Sequence, residues 1–80
     1  MKISVVVTLK KEVLDPQGKV VEQTLKTMFY ESIINVRQGK YFEINIDEND
    51  QKKAKKVADE ICKNLLTNVV VEDYSIDLKQ

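Results

Sequence analysis

Residues 54–66 read Ala54-Lys55-Lys56-Val57-Ala58-Asp59-Glu60-Ile61-Cys62-Lys63-Asn64-Leu65-Leu66. Ala54, Val57, Ala58, Ile61, Cys62, Leu65 and Leu66 recur at spacings of three and four, which gathers them into one stripe along a helix. A helix with one apolar face needs a second layer to cover it. Its neighbours in the chain supply strands. Downstream, Asn68 is placed to close the helix in a left-handed turn, and Val69 to Leu78 reads as a strand. Upstream, Tyr41 to Ile46 alternates, with Phe42, Ile44 and Ile46 on a core face and Tyr41, Glu43 and Asn45 on the other. Ile33 to Val36 is also β-rich, and Gln38-Gly39 between the two runs predicts a hairpin with positive φ at the glycine. Asn35 interrupts the pattern of the first run, so the register of the Ile33 to Ile46 hairpin stays open.

The first third completes the order. Lys2 to Lys10 alternates, with Ile3, Val5, Val7 and Leu9 on one face and Ser4, Val6 and Thr8 on the other. Asp15-Pro16 then starts a helix, the aspartate capping free amides and the proline occupying the first helical position. Val21, Leu25 and Met28 give that helix a buried stripe. The sum is β-α-β-β-α-β. Right-handed crossovers fold that order into an α+β two-layer sandwich of ferredoxin-like topology, with a four-stranded antiparallel sheet and both helices on one face. Residues 1–80 form a single domain, and one sheet face is left uncovered.

Composition narrows the function. The chain has 80 residues, with 13 basic and 13 acidic side chains, no His and one Cys. Zero net charge argues against nucleic acid and anionic membrane as partners, both of which require a basic surplus. Without His there is no Ser-His or Cys-His pair and no ordinary zinc site. No apolar run is longer than three residues, as at Val5-Val6-Val7, far short of the ~20 that span a bilayer, and no signal-peptide pattern opens the chain. A soluble, cytoplasmic protein is expected, and a lone thiol fits a reducing compartment.

No side-chain set promises catalysis. Cys62 sits inside the apolar stripe, a packing position and not a reactive one. Asp47, Glu48 and Asp50 precede a helix and read as caps, without the spaced ligands of a calcium loop. Glu72 and Asp73 are adjacent on a strand and point to opposite faces, so they cannot work as an acid and base pair. Lys52, Lys53, Lys55 and Lys56 form a solvated basic face of the second helix. RNA-recognition modules share the topology, yet the first strand here has no aromatic and Tyr41 is followed on its face by Glu43. The catalytic and metal-ligand sets are therefore empty.

Three segments go further. Leu14-Asp15-Pro16-Gln17-Gly18, Val36-Arg37-Gln38-Gly39-Lys40, and Cys62 to Asn68 leading into Val71-Glu72-Asp73-Tyr74 stand in an order and spacing that resemble the PurS family. That family is the small subunit of phosphoribosylformylglycinamidine synthase. The resemblance runs from about Ile3 to Leu78, with Val69 standing where the family usually has Pro and Met28-Phe29-Tyr30 where it often has a Gly. It implies a non-catalytic subunit in purine biosynthesis that bridges a glutaminase chain and a large ATP-dependent synthetase chain and assists ammonia transfer between them. The complex is then a glutamine-hydrolysing C–N ligase, with ATP and magnesium in the large subunit and no cofactor in this chain. Asp15, Pro16, Arg37, Gly39 and Lys40, at a strand-to-helix junction and a predicted hairpin tip, are the candidate partner-binding residues. Small domains often gain stability by oligomerising, and the uncovered face makes Val6, Thr8 and Tyr41 candidates for self-association as a dimer or dimer of dimers. The competing reading is a small ligand-sensing regulatory domain of the same topology, which would need a Gly-rich loop where only Gly18 is available.

Overall fold

The computed structural model describes residues 1–79, so the single-domain expectation reaches one residue, Gln80, outside the described part. The elements are β1 (Lys2–Leu9), α1 (Pro16–Thr27), β2 (Gly39–Asn45), α2 (Gln51–Ile61) and β3 (Glu72–Lys79), with a wide π-type turn at Cys62–Leu66 continuing α2. Both neighbours of β1 run antiparallel to it, giving the order β2-β1-β3. Val5 stands opposite Phe42 on one side and Ile76 on the other, and Ile3 opposite Ile44 and Leu78. The period-two pattern of three strands therefore coincides on one face. Ile3, Val5 and Val7 are wholly buried there against Ala58 and Cys62, with Phe42, Ile44, Leu66, Tyr74 and Ile76 around them. Alanine at 54 and 58 keeps the contact face of α2 flat, so both residues are wholly buried. The ammonium of Met1 donates to the carbonyl of Ile46 at 2.9 Å and the Ile46 amide returns a bond to Met1, extending the pairing past the strand ends.

Among the described residues the sheet has three strands where four were expected. Ile33 to Val36 takes no strand partner, so the predicted hairpin and its register do not exist. The cause lies at residues 37 and 38. Arg37 reaches across to the carbonyls of Leu9 and Lys10 at the end of β1 and the Gln38 amide donates to the Asp15 carboxylate at 2.7 Å, so this stretch is drawn to the β1–α1 connection rather than folded onto β2. Gly39 does not adopt positive φ either. Its glycine answers a different need, because a Cβ there would stand 2.5 Å from the Val7 carbonyl oxygen.

The helices also depart from the expected layer. Only α2 covers the sheet; no α1 side chain joins the core, and Val21 and Met28 of its predicted buried stripe are exposed. The radius of gyration is 16.0 Å, against ~12 Å for a compact chain of this length, and the extents are 48 × 26 × 14 Å. α1 and the arm that follows it therefore project from a small β1–β2–β3–α2 body. Within the long stripe, Val57 and Leu65 are exposed. The Thr67 amide bonds to the Cys62 carbonyl, five residues back, and that wider turn swings Leu65 off the helical stripe. Asn68 is not left-handed; its carbonyl accepts from the amides of Val71 and Glu72 and its side chain from that of Val70, a turn that delays β3 to Glu72.

Candidate functional site

Two of the segments singled out by sequence, 14–18 and 36–40, meet in space. Asp15 caps α1 and is 6% exposed; one carboxylate oxygen accepts from the Gly18 amide at 2.9 Å and the other from the Gln38 amide. These two bonds, with the Arg37 guanidinium assisting, hold its carboxyl below the ordinary aspartate range. Arg37 donates to three carbonyls, those of Lys10 at 2.8 Å, Leu9 at 3.1 Å and Val13 at 3.2 Å. The Gln38 side-chain amide donates to Gln17 at 2.7 Å. A Cβ on Gly18 would lie 2.5 Å from the Val36 carbonyl oxygen, so the close approach of the two segments depends on glycine there. Lys40 pairs instead with Glu72 across β1, at 3.6 Å. Beside them runs a groove of about 350 Å³ lined by Val7, Leu9, Pro16, Gln38, Lys40 and Glu72. Asp15, Pro16, Arg37, Gly39 and Lys40 thus gather where α1 meets the sheet, with the charged ones already engaged within the chain.

Val6, Thr8 and Tyr41 are also brought together, on the open sheet face. Val6 stands opposite Tyr41 and is 43% exposed, and Thr8 is next on that face. Their surroundings are polar. The Tyr41 hydroxyl lies 3.1 Å from both Ser4 Oγ and Glu43 Oε1, Lys2 pairs with Glu43 at 3.2 Å, and Ser75 and Asp73 stand opposite Val6 and Thr8. The hydrogen bonds from Lys2 and Tyr41 lower the Glu43 carboxyl.

A further set of exposed apolar side chains, which the sequence reading missed, is on the projecting part. Val20, Met28, Phe29, Tyr30 and Ile34 are exposed, Phe29 and Ile34 by 86% and 88%. Phe29 has a φ of 69° and is the only non-glycine residue with positive φ among those described. It closes α1 as a glycine normally does, its amide bonding to the Lys26 carbonyl and that of Tyr30 to Leu25. The sequence signal was the aromatic run directly after the α1 stripe. Elsewhere, burial and then Asp59 push the Cys62 thiol and the Tyr74 hydroxyl up. Among the described residues no cluster of His, Cys, Asp or Glu has a metal-binding arrangement, and no helix is long and apolar enough to cross a membrane.

Residues 2–80 match the model of the PurS family, described as phosphoribosylformylglycinamidine (FGAM) synthase. The chain belongs to the PurS family. It is 40% identical to the phosphoribosylformylglycinamidine synthase subunit PurS of Bacillus subtilis, over 99% of this chain and 93% of that one. A solved structure of the B. subtilis protein superposes with a TM-score of 0.89 at 99% and 98% coverage. That of PurS from Methanocaldococcus jannaschii gives 0.90 at 34% identity, covering 99% and 95%. A structure of PurLQS from Thermotoga maritima gives 0.87 at 28% identity, covering 95% and 93%. The chain is accordingly a small subunit of FGAM synthase, the glutamine-hydrolysing ligase of purine biosynthesis, and the ligand-sensing alternative is set aside.

Proposed function

We propose that this chain bridges the glutaminase and the large ATP-dependent synthetase subunits of FGAM synthase in the cytoplasm and assists ammonia transfer between them. The observation that carries this reading is the match along nearly the whole chain to a structure of PurLQS, an assembly, together with the shape of the molecule. An elongated chain with exposed apolar side chains on a projecting helix and arm, and others at Leu65, Val69 and Val70 beyond α2, is suited to being held between neighbours. Ammonia released into water is largely protonated and lost as a nucleophile, so its path between two active sites has to be closed to bulk solvent. On this reading ATP and magnesium act in the large subunit.

Residues 1–80 act as one PurS-like unit that associates with itself as a dimer or dimer of dimers. Val6, Thr8 and Tyr41 remain candidates, but their polar surroundings give that face little to gain from apolar burial. The exposed apolar side chains of α1 and the arm supply more. Of the partner-binding candidates, Pro16 and the outer edge of the groove at Gly39 and Lys40 are open to a neighbouring subunit, whereas Asp15 and Arg37 are occupied inside the chain. Reconstitution tests the reading. With the glutaminase and the large synthetase chain, glutamine-dependent synthesis should require this chain, while synthesis from high ammonia should not. Equal loss of both activities on omitting it would refute the bridging role.

A further inference from the structure

The chain leaves the sheet after β1, makes α1 and the arm, and returns at β2. Nothing in the core holds this excursion, since no α1 residue joins the core cluster. What holds it is the cross-connection at its base. The Asp15 carboxylate ties the first turn of α1 to an amide 23 positions later. Arg37, on the returning segment just before β2, clamps the carbonyls of Leu9, Lys10 and Val13 on the departing segment. Gln17 and Gln38 add a side-chain bond, and Gly18 lets Val36 approach. A buried carboxylate accepting two amides, one local and one distant, fixes an angle as well as a distance. A guanidinium fork spread over three carbonyls does the same, because its donors lie in one plane.

From this we infer that Asp15 and Arg37 are positioning residues: they clasp the two ends of the excursion and set the direction in which α1 and the arm leave the sheet. The inference rests on the bridging role proposed above, since direction matters only if the excursion meets a neighbour. The body of the molecule does not need the clasp. β1 is paired on both sides and covered by α2 without it. Opening the clasp therefore loosens residues 16–38 and leaves the sheet intact.

Hydrogen exchange on the full chain tests the clasp, using Asp15→Ala, Asp15→Asn, which keeps one acceptor oxygen, and Arg37→Met, which keeps the methylenes. Amides of α1 should exchange about tenfold or more faster in Asp15→Ala and Arg37→Met, with Asp15→Asn between these and the wild type, while β1 amides are unchanged. Unchanged α1 exchange, or β1 amides accelerated by the same factor, would overturn the inference. In the reconstituted complex the same variants should lower glutamine-dependent turnover by about fivefold or more and leave ammonia-dependent turnover within about twofold of the wild type. A wild-type chain that gives no glutamine-dependent turnover counts against the bridging role alone, and exchange then decides the clasp. Full turnover in variants whose exchange shows an open clasp would overturn the link between direction and coupling.

Discussion

Replacing Phe29 with glycine should move two quantities in opposite directions. The residue holds a φ of 69° at the end of α1, a conformation that costs an L-residue with a bulky side chain about 1–2 kcal/mol and glycine almost nothing. Glycine gives back ~0.7 kcal/mol through the greater freedom of the unfolded chain, so the monomer should gain about 0.3–1.3 kcal/mol. Association should suffer. A phenylalanine side chain that is 86% exposed offers roughly 170 Å² to a neighbour, worth about 4 kcal/mol if wholly covered and about 2 kcal/mol if half covered. In a twofold dimer both copies lose it, which amounts to roughly 4 kcal/mol or a 10³-fold weaker Kd. The assays are urea unfolding at falling chain concentration, read where the midpoint no longer depends on concentration, and sedimentation equilibrium across the same series. A variant that is more stable yet associates as tightly as the wild type would show that Phe29 faces no second copy. The strain would then need another explanation.

Gly39→Ala should cost about 2 kcal/mol, read from the urea midpoint, because its Cβ would stand 2.5 Å from the Val7 carbonyl and 2.8 Å from Thr8 Cγ2 on a strand pinned from both sides; an unshifted midpoint refutes the close-approach argument. The Asp15 carboxyl is held below its ordinary value by the amides of Gln38 and Gly18, so the stabilisation is complete above the unfolded aspartate pKa of ~3.9 and is lost as pH falls through the folded value. Melting temperature followed from about pH 5 to pH 2 should fall less steeply in Asp15→Asn than in the wild type, and parallel acid limbs would refute the linkage. Cys62 is wholly buried with its thiol pushed up by that burial, so alkylation by iodoacetamide at neutral pH should proceed at the rate of unfolding; fast labelling under native conditions would mean that the α2–sheet contact opens locally.

What could be read in the sequence follows from how local each determinant is. The alternation of Ile3, Val5 and Val7 decides a strand face whatever pairs with it, and Asp15-Pro16 caps a helix by bonds that close within three residues. The stripe of α2 held at Ala54, Ala58 and Cys62, left Val57 exposed, and failed at Leu65, where one wide turn changes the phase and nothing in the residue types announces it. Ile33 to Val36 has strand-forming residues, but a strand exists only with a partner, and the contest between hairpin and clasp was settled by side chains at 15 and 37 that are far apart in sequence. Gly39 was recognisable as a necessary glycine for the wrong reason and the need for Gly18 went unread, since close approach leaves no more trace in one sequence than positive φ does.

The same distinction separates the two amphipathic helices. An apolar stripe states that a face is to be covered and is silent on what covers it. α2 finds β1–β2–β3 within its own chain, aided by the small side chains of Ala54 and Ala58. α1 carries a shorter stripe, yet the clasp at its base ties it to the returning segment and leaves Val21 and Met28 outside the core. A chain of this length buries only ~60% of the surface it exposes when unfolded, so an uncovered helix is stability withheld from the monomer. For a small subunit of a multi-chain ligase that withholding has a use. The apolar surface that the isolated fold leaves unburied is then available to couple folding to assembly.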